Sequence, residues 1–196
     1  MSIDDVRDHL ASDDVRNKWI GVWIGVLAVL LAICGVGGDN ASKDANRANI
    51  DASNTWAFFQ AKNIRRTSFT LAADELELML LTQPNLAPEA ASAVKAKIAA
   101  WRSTVERYGS EPSTNEGLKE LSARAKALEQ ERDQALRKDP YFDFAAALIQ
   151  IAIVLASVAI IAGTNTLLYG SAVGGALGVL LMLNGFWLFA SLPFLG

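Results

Sequence analysis

Few residues of this sequence carry groups able to exchange protons, attack a bond or hold a metal. The single histidine, His9, excludes a His-Glu-x-x-His zinc motif. The single cysteine, Cys34, excludes an internal disulfide and a cysteine-built metal site. Gly35, Gly37 and Gly38 make a glycine-rich stretch, but no Gly-Lys-Ser or Gly-Lys-Thr follows it. It closes an apolar run instead of joining a strand to a helix, so a phosphate loop is not expected. Asp74, Glu75 and Glu77 form an acidic cluster of the kind that collects cations, and a solvated helix face is the simpler reading. Lys62, Arg65 and Arg66 beside Trp56, Phe58 and Phe59 form a basic aromatic patch. As a snorkelling, salt-bridged surface it needs no ligand; as a site it would take an anionic partner or a lipid headgroup. No catalytic residue, metal ligand or cofactor-binding residue is assigned, and neither a cofactor nor an enzymatic activity is expected. A formal charge of -3 and a pI near 5.2 offer no basic face to nucleic acid.

The elements that must carry these groups follow from where the charge lies. All 39 Lys, Arg, Asp and Glu residues lie at or before Asp143, and the last 53 residues have none. An ordinary soluble domain scatters charge along its whole length. Residues 19–38 form an uncharged run of 20 residues, long enough at about 1.5 Å per residue to cross a hydrocarbon core of about 30 Å. Residues 144–162 form a second run, residues 163–170 (GTNTLLYG) a loop, and residues 171–192 a third run. The predicted fold class is therefore all-α: an integral membrane protein with three transmembrane helices. Trp19 and Trp23 at the start of the first run suit a membrane interface, as does a terminal cluster of Trp187, Phe189, Pro193 and Phe194. The sequence LAIC at residues 31–34 has Ile33 where a lipoprotein processing site wants a small residue. Five Asp against three Lys or Arg upstream are also wrong for an export signal, so a retained anchor is expected.

Between the runs, residues 39–143 hold 15 basic and 16 acidic side chains and read as an extramembrane helical hairpin or three-helix stalk. Val94, Ile98, Trp101, Val105 and Tyr108 recur at alternating steps of four and three, as do Leu118, Leu121, Ala125 and Leu128. Pro84 and Pro88 bracket one break and residues 109–113 make another, with Ser113 and Glu116 at capping-box spacing. Ahead of these, Ala41, Ala45, Ala48, Ala52 and Thr55 form a stripe of small residues leading to Phe59. A polar row of Asn46, Asn49, Ser53, Trp56, Gln60 and Asn63 runs beside it. Small residues let helices approach closely, and polar ones at such positions choose register and partner number. The stripe serves either packing against the return helix or self-association. Ala45, Ala48, Ala52, Asn46, Asn49, Trp56, Phe59, Gln60 and Lys62 are the candidate interaction residues.

Two glycine rows are candidate helix-packing faces: Gly21 with Gly25, and Gly170 with Gly174 and Gly178. Each suits contact within the chain or with another chain. Gln150, Ser157 and Asn184 are the polar groups inside the apolar runs, placed to hydrogen-bond across helices, and the absence of ionisable residues there argues against a pump or transporter. Arg7, Arg16 and Lys18 before the first run favour a cytoplasmic N-terminus, which puts the stalk outside.

The segment DASNTWAFFQAKNIRR, residues 51–66, and the plan of one apolar run, a charged helical domain and two closing runs resemble a bacterial family called domain of unknown function 4337. Its most specific part is Trp56, Ala57, Phe58, Phe59, Gln60, Ala61 and Lys62. The resemblance covers almost the whole chain and implies architecture; the family has no assigned activity and implies no reaction. Its members often carry basic residues in the last loop, and GTNTLLYG has none. The function expected is that of a non-enzymatic membrane scaffold or accessory protein. Its partners would be membrane lipids, and copies of itself or a larger membrane complex, with no nucleic acid. The alternative is a homo-oligomeric channel lined by Asn46, Asn49 and Gln60.

Overall fold

The computed structural model describes the backbone of residues 3–192 and the side chains of residues 14–192. His9, Pro193 and Phe194 lie outside the described side chains. Four helices follow in order: α1 (Ile3–Thr82), α2 (Pro88–Gly109), α3 (Leu118–Ala162) and α4 (Asn165–Trp187), with no strand among the described residues. Proline sets the punctuation. The first of the five prolines is Pro84, so nothing interrupts the backbone hydrogen bonds of α1 until Thr82. Pro88 opens α2 at a position whose N–H would have no helical partner anyway, and Pro112 sits in the turn before α3. Pro140 lies inside α3 without ending it.

The chain divides into two compact units, Met1–Ala45 with Asp133–Gly196, and Asn46–Arg132. The first unit holds the three apolar helical stretches, each long and apolar enough to cross a membrane. Its core is Leu27, Cys34, Phe142, Ala145, Ile149, Ala152 and Met182, with Trp23, Leu30 and Val179 packed against it. Small residues at 145, 152, 156 and 159 let α3 meet its neighbours closely. Only 22%, 28% and 22% of the most apolar stretches of α1, α3 and α4 are buried within the chain. Val22, Val29, Val36, Ile151, Val154, Ile161, Val173 and Leu180 point outward.

The last helix differs from its predicted span. It begins at Asn165, because Leu167, Leu168 and Tyr169 continue the helix where a loop was expected, and it ends at Trp187 instead of 192. The end is fixed by side chains. Asn184 donates from Nδ2 to the Ala190 carbonyl (2.7 Å) and accepts from the Ala190 N–H (2.9 Å). Tyr141 Oη donates to the same carbonyl (3.1 Å) and accepts from the Leu192 N–H (3.0 Å). These four bonds hold Leu188 in the left-handed region at φ 49°, where glycine is the usual occupant. α3 stops at Gly163, which takes that conformation (φ 64°) without a side-chain penalty.

In the second unit, α2 and the adjoining parts of α1 and α3 pack through the predicted stripes. Leu118, Leu121 and Ala125 are buried, while Val94, Ile98, Trp101, Val105 and Tyr108 are half-buried. Phe69 of α1 stands edge-on to Tyr108 (6.0 Å) and tilted to Trp101 (6.3 Å). The capping box does not form. α3 starts at Leu118, so Ser113 lies in the preceding turn instead of at its N-cap. Glycine is required just before that start, because a Cβ on Gly117 would meet Ser110 Cα, the Glu111 N–H and the Glu120 carboxylate. Ser110 Oγ donates to Glu120 (2.6 Å) and the Glu111 N–H donates to the same carboxylate (3.1 Å), tying the turn to the first turn of α3.

Candidate functional site

The two glycine rows have different surroundings. A Cβ on Gly178 would stand 2.7 Å from Ile149 Cγ1 and 3.1 Å from the Ala145 carbonyl; one on Gly174 would touch Ala152 and Leu148. Gly170 faces Leu155 at 3.5 Å. This row is the surface on which α4 meets α3. At Gly21 and Gly25, by contrast, nothing lies within 4 Å, and both are exposed, as is Gly35 further along α1. That face of α1 has no neighbour among the described residues.

Three further glycines, none assigned from the sequence, make a notch for one aromatic ring. Phe142 is 3% exposed; a Cβ on Gly37 would collide with its ring, and one on Gly185 would come within 3.0 Å of it. Gly38 lies against the Cβ of Phe142, and Phe186 stands edge-on to the ring at 4.9 Å. The polar groups of this unit also differ from expectation. Ser157 donates to the Ile153 carbonyl of its own helix (2.8 Å), Gln150 is exposed, and Asn184 serves the chain after α4. Bonds that do cross between helices are Trp23 Nε1 to Ser171 Oγ (2.9 Å), with Ser171 fully buried, and Ser42 Oγ to the Asp139 carboxylate (3.0 Å).

In the second unit the Trp56–Lys62 segment is a clamp. Trp56 Nε1 donates to Glu129 of α3 (2.9 Å), and Trp56 and Phe59 meet edge-on at 5.4 Å. Lys62 was expected as a snorkelling surface residue; it is 7% exposed. Its Nζ donates to the Glu116 carbonyl (2.5 Å), pairs with the Glu111 and Glu116 carboxylates (3.7 and 3.8 Å) and lies over the rings of Phe58 and Tyr108. The sequence carried a signal for this burial: Ile20, Leu27, Cys34, Ala41, Ala48, Thr55 and Lys62 are each seven residues apart and all buried. Ala45, Ala48 and Ala52 are buried too, Ala45 belonging to the first unit and the other two to the second. Asn46, Asn49 and Gln60 are exposed, Asn49 accepting from Arg132 at 3.4 Å.

The acidic cluster is also engaged. Asp74 and Glu77 both hold Arg102 of α2 (2.5 and 3.0 Å), and their hydrogen bonds, Glu77 first, push the Arg102 pKa up; Glu75 is exposed. Arg66 Nε donates to the Val105 carbonyl (3.3 Å), and Lys97 lies over Trp101. Two open cavities of about 300 Å³ flank Phe58; one is lined by Lys62, Arg65, Arg107 and Tyr108, the other by Asp51, Asn54 and Arg124. Among the described residues no three of His, Cys, Asp and Glu converge as metal ligands.

A family model described as Domain of unknown function (DUF4337) matches residues 16–188, from just before the first apolar stretch to just after α4. No curated protein and no solved structure matches the chain.

Proposed function

The chain belongs to the family described as Domain of unknown function (DUF4337), and from that premise we propose that it is a non-enzymatic membrane scaffold or accessory protein. The observation that carries this reading is the outward apolar surface of the first unit. Only about a quarter of each apolar stretch is fully buried by the chain itself, the rest is half-buried or exposed, and water is a poor solvent for that surface. Lipid covers most of this surface, and the open face of Gly21 and Gly25 admits another helix. The second unit supplies the docking surface. Several of its charged groups, Lys62, Arg102 and Glu120 among them, are spent on its own fold, which favours a rigid helical element over a reactive site. With three crossings and a cytoplasmic N-terminus, that unit lies in the periplasm of a bacterial inner membrane. The partners are further copies of the chain or a larger membrane complex.

The test is the native mass of the full chain in mild detergent, with identification of co-purifying proteins. A mass of two or more chains, or a stoichiometric companion, supports the scaffold; a lone monomer without companions contradicts it. A homo-oligomeric channel is the second reading, favoured by the exposure of Asn46, Asn49 and Gln60 along α1. Ion flux into liposomes that Asn46→Leu or Asn49→Leu abolishes would replace the scaffold with that reading.

A further inference from the structure

Ile50, Ala57, Ile64, Leu71 and Leu78 stand seven residues apart along the part of α1 that belongs to the second unit, and all five are exposed. The four large ones are 60%, 66%, 57% and 61% exposed in chain order. Apolar side chains scattered singly on a surface mean little, but a row at one fixed spacing makes a continuous face. Ile64 follows buried Lys62 by two residues, about 200° around the helix, so this row lies on the side of α1 opposite the row that the unit buries. The small residues in which self-association was sought, Ala48, Ala52 and Thr55, are on the buried side. The row left facing outward is a different one.

The surroundings of the row are neutral. Ser53, Asn54, Gln60, Ala61, Thr67 and Ser68 flank it, and all are exposed and uncharged. Arg47 bounds this face at one end and Asp74 with Glu75 at the other, so it runs from Ile50 to Leu71, about 32 Å of helix. The charges that α1 carries in between are placed elsewhere. Lys62 is buried, Arg66 donates to the Val105 carbonyl, and Asp51 and Arg65 line the two cavities beside Phe58. A helix surface facing water is ordinarily charged, whereas depletion of charge marks the core of an interface.

Period and charge together select the occupant. A row at exact sevens drifts about 20° per repeat around a straight helix, so it stays in contact only with a second helix that coils with it. Charges beside such a seam choose an unlike partner; a face without them offers no such choice and meets its own copy without repulsion. Copies inserted alike in one bilayer also present their α1 helices parallel and at one height. That sets each residue opposite its twin and supplies a high local concentration, so a seam with a single apolar row suffices. From these observations we infer that a second copy of this chain docks along Ile50, Ala57, Ile64 and Leu71, with Gln60 of each copy meeting its twin and fixing the register. The inference rests on the scaffold reading and names its partner and its seam.

The experiment treats the full chain in membrane vesicles with a short bis-maleimide. Wild type is the blank, since its single Cys34 is buried. Ala57→Cys and Ile64→Cys are expected to give a covalent two-chain product, and Ala127→Cys, at an exposed position of α3 in the same unit, to give none above the blank. In mild detergent, Ile64→Glu sets like charges face to face and is expected to weaken pairing at least about tenfold, read by native mass on dilution, while Ile64→Leu retains it. The cysteine result stands by itself if Ile64→Glu fails to fold. Absence of the two-chain product at both cysteines, an equal product from Ala127→Cys, a product joining the chain to a different protein, or undiminished pairing in Ile64→Glu overturns the inference. An oligomeric native mass, or a stoichiometric companion, together with any of these defeats only the seam and leaves the scaffold standing. A lone monomer without companions defeats the scaffold reading beneath it as well.

Discussion

Replacing Lys62 with methionine removes one ammonium and keeps the length and apolar stem of the side chain, so it isolates the clamp. In the native unit the Lys62 side chain is 8% exposed, the Glu111 side chain 17% and the Glu116 side chain 57%. The Glu116 carboxylate is open to solvent, and its pairing contributes about 0–1 kcal/mol. The bond to the Glu116 carbonyl is charge-assisted, worth about 1.5–3 kcal/mol. The Glu111 carboxylate is the larger concern, because the variant leaves it largely buried without its partner. Against these stands the cost of burying the ammonium in wild type, which the variant no longer meets. The balance is a loss of about 3 kcal/mol, which lowers the melting temperature of a unit this size by roughly 10–20 °C. Lys43→Met is the internal control: Lys43 and Asp39 are 74% and 76% exposed at 3.8 Å, and losing that pair costs within about 0.5 kcal/mol. The assay is thermal unfolding of the full chain in detergent, read by hydrogen exchange of peptides covering residues 105–121, so that the unit holding Lys62 is followed by itself. Faster exchange and early melting in Lys62→Met alone are expected. Equal behaviour of the two variants would refute the clamp.

Other consequences follow from the same geometry. Gly178→Leu forces a side chain into Ile149 and is expected to destabilise the first unit by about 1–3 kcal/mol; Gly25→Leu, facing open space, should leave the melt unchanged and reduce the native mass, and a reversed pattern would refute the assignment of the two faces. Asn184→Leu removes both bonds to Ala190, so residues 188–192 should become susceptible to protease in detergent while α4 keeps its helical signal; unchanged susceptibility would contradict the tie. Ser110 and the Glu111 N–H hold the Glu120 carboxyl below the ordinary range, Ser110 contributing most. A lowered folded pKa gives stabilisation present above the unfolded value, about 4.3 for Glu, and lost as pH falls through the folded value. The melting gap between wild type and Glu120→Gln should therefore be open at pH 6 and narrow at pH 3; a gap of the same size at both would refute the link.

Helix type and apolar stretches were legible because periodicity, proline spacing and the confinement of charge are all local properties. The same heptad that marks Ile20, Leu27 and Cys34 arrives at Lys62, so its burial could have been read by carrying the phase forward. The charge of the residue and the family-like segment around it pointed to a surface instead. The notch for Phe142 was not legible: its walls are Gly37, Gly38 and Gly185, and no spacing rule brings residues so distant in sequence to one ring. Likewise a glycine row has the same appearance in sequence whether or not a helix covers it. Only the packing separates Gly178, pressed on Ile149, from Gly25, which faces no described residue. The end of α4 was misjudged because Asn184 stops it through a backbone contact six residues on, while the residues past Trp187 remain apolar.

The central claim is that the uncovered faces of the three apolar helices lie in a bilayer. Washing membranes that contain the full chain with alkaline carbonate tests it most directly, since the wash strips proteins held by charge and leaves those held by hydrocarbon. The account predicts that the chain stays in the membrane pellet and is released only by detergent; recovery in the wash would contradict it.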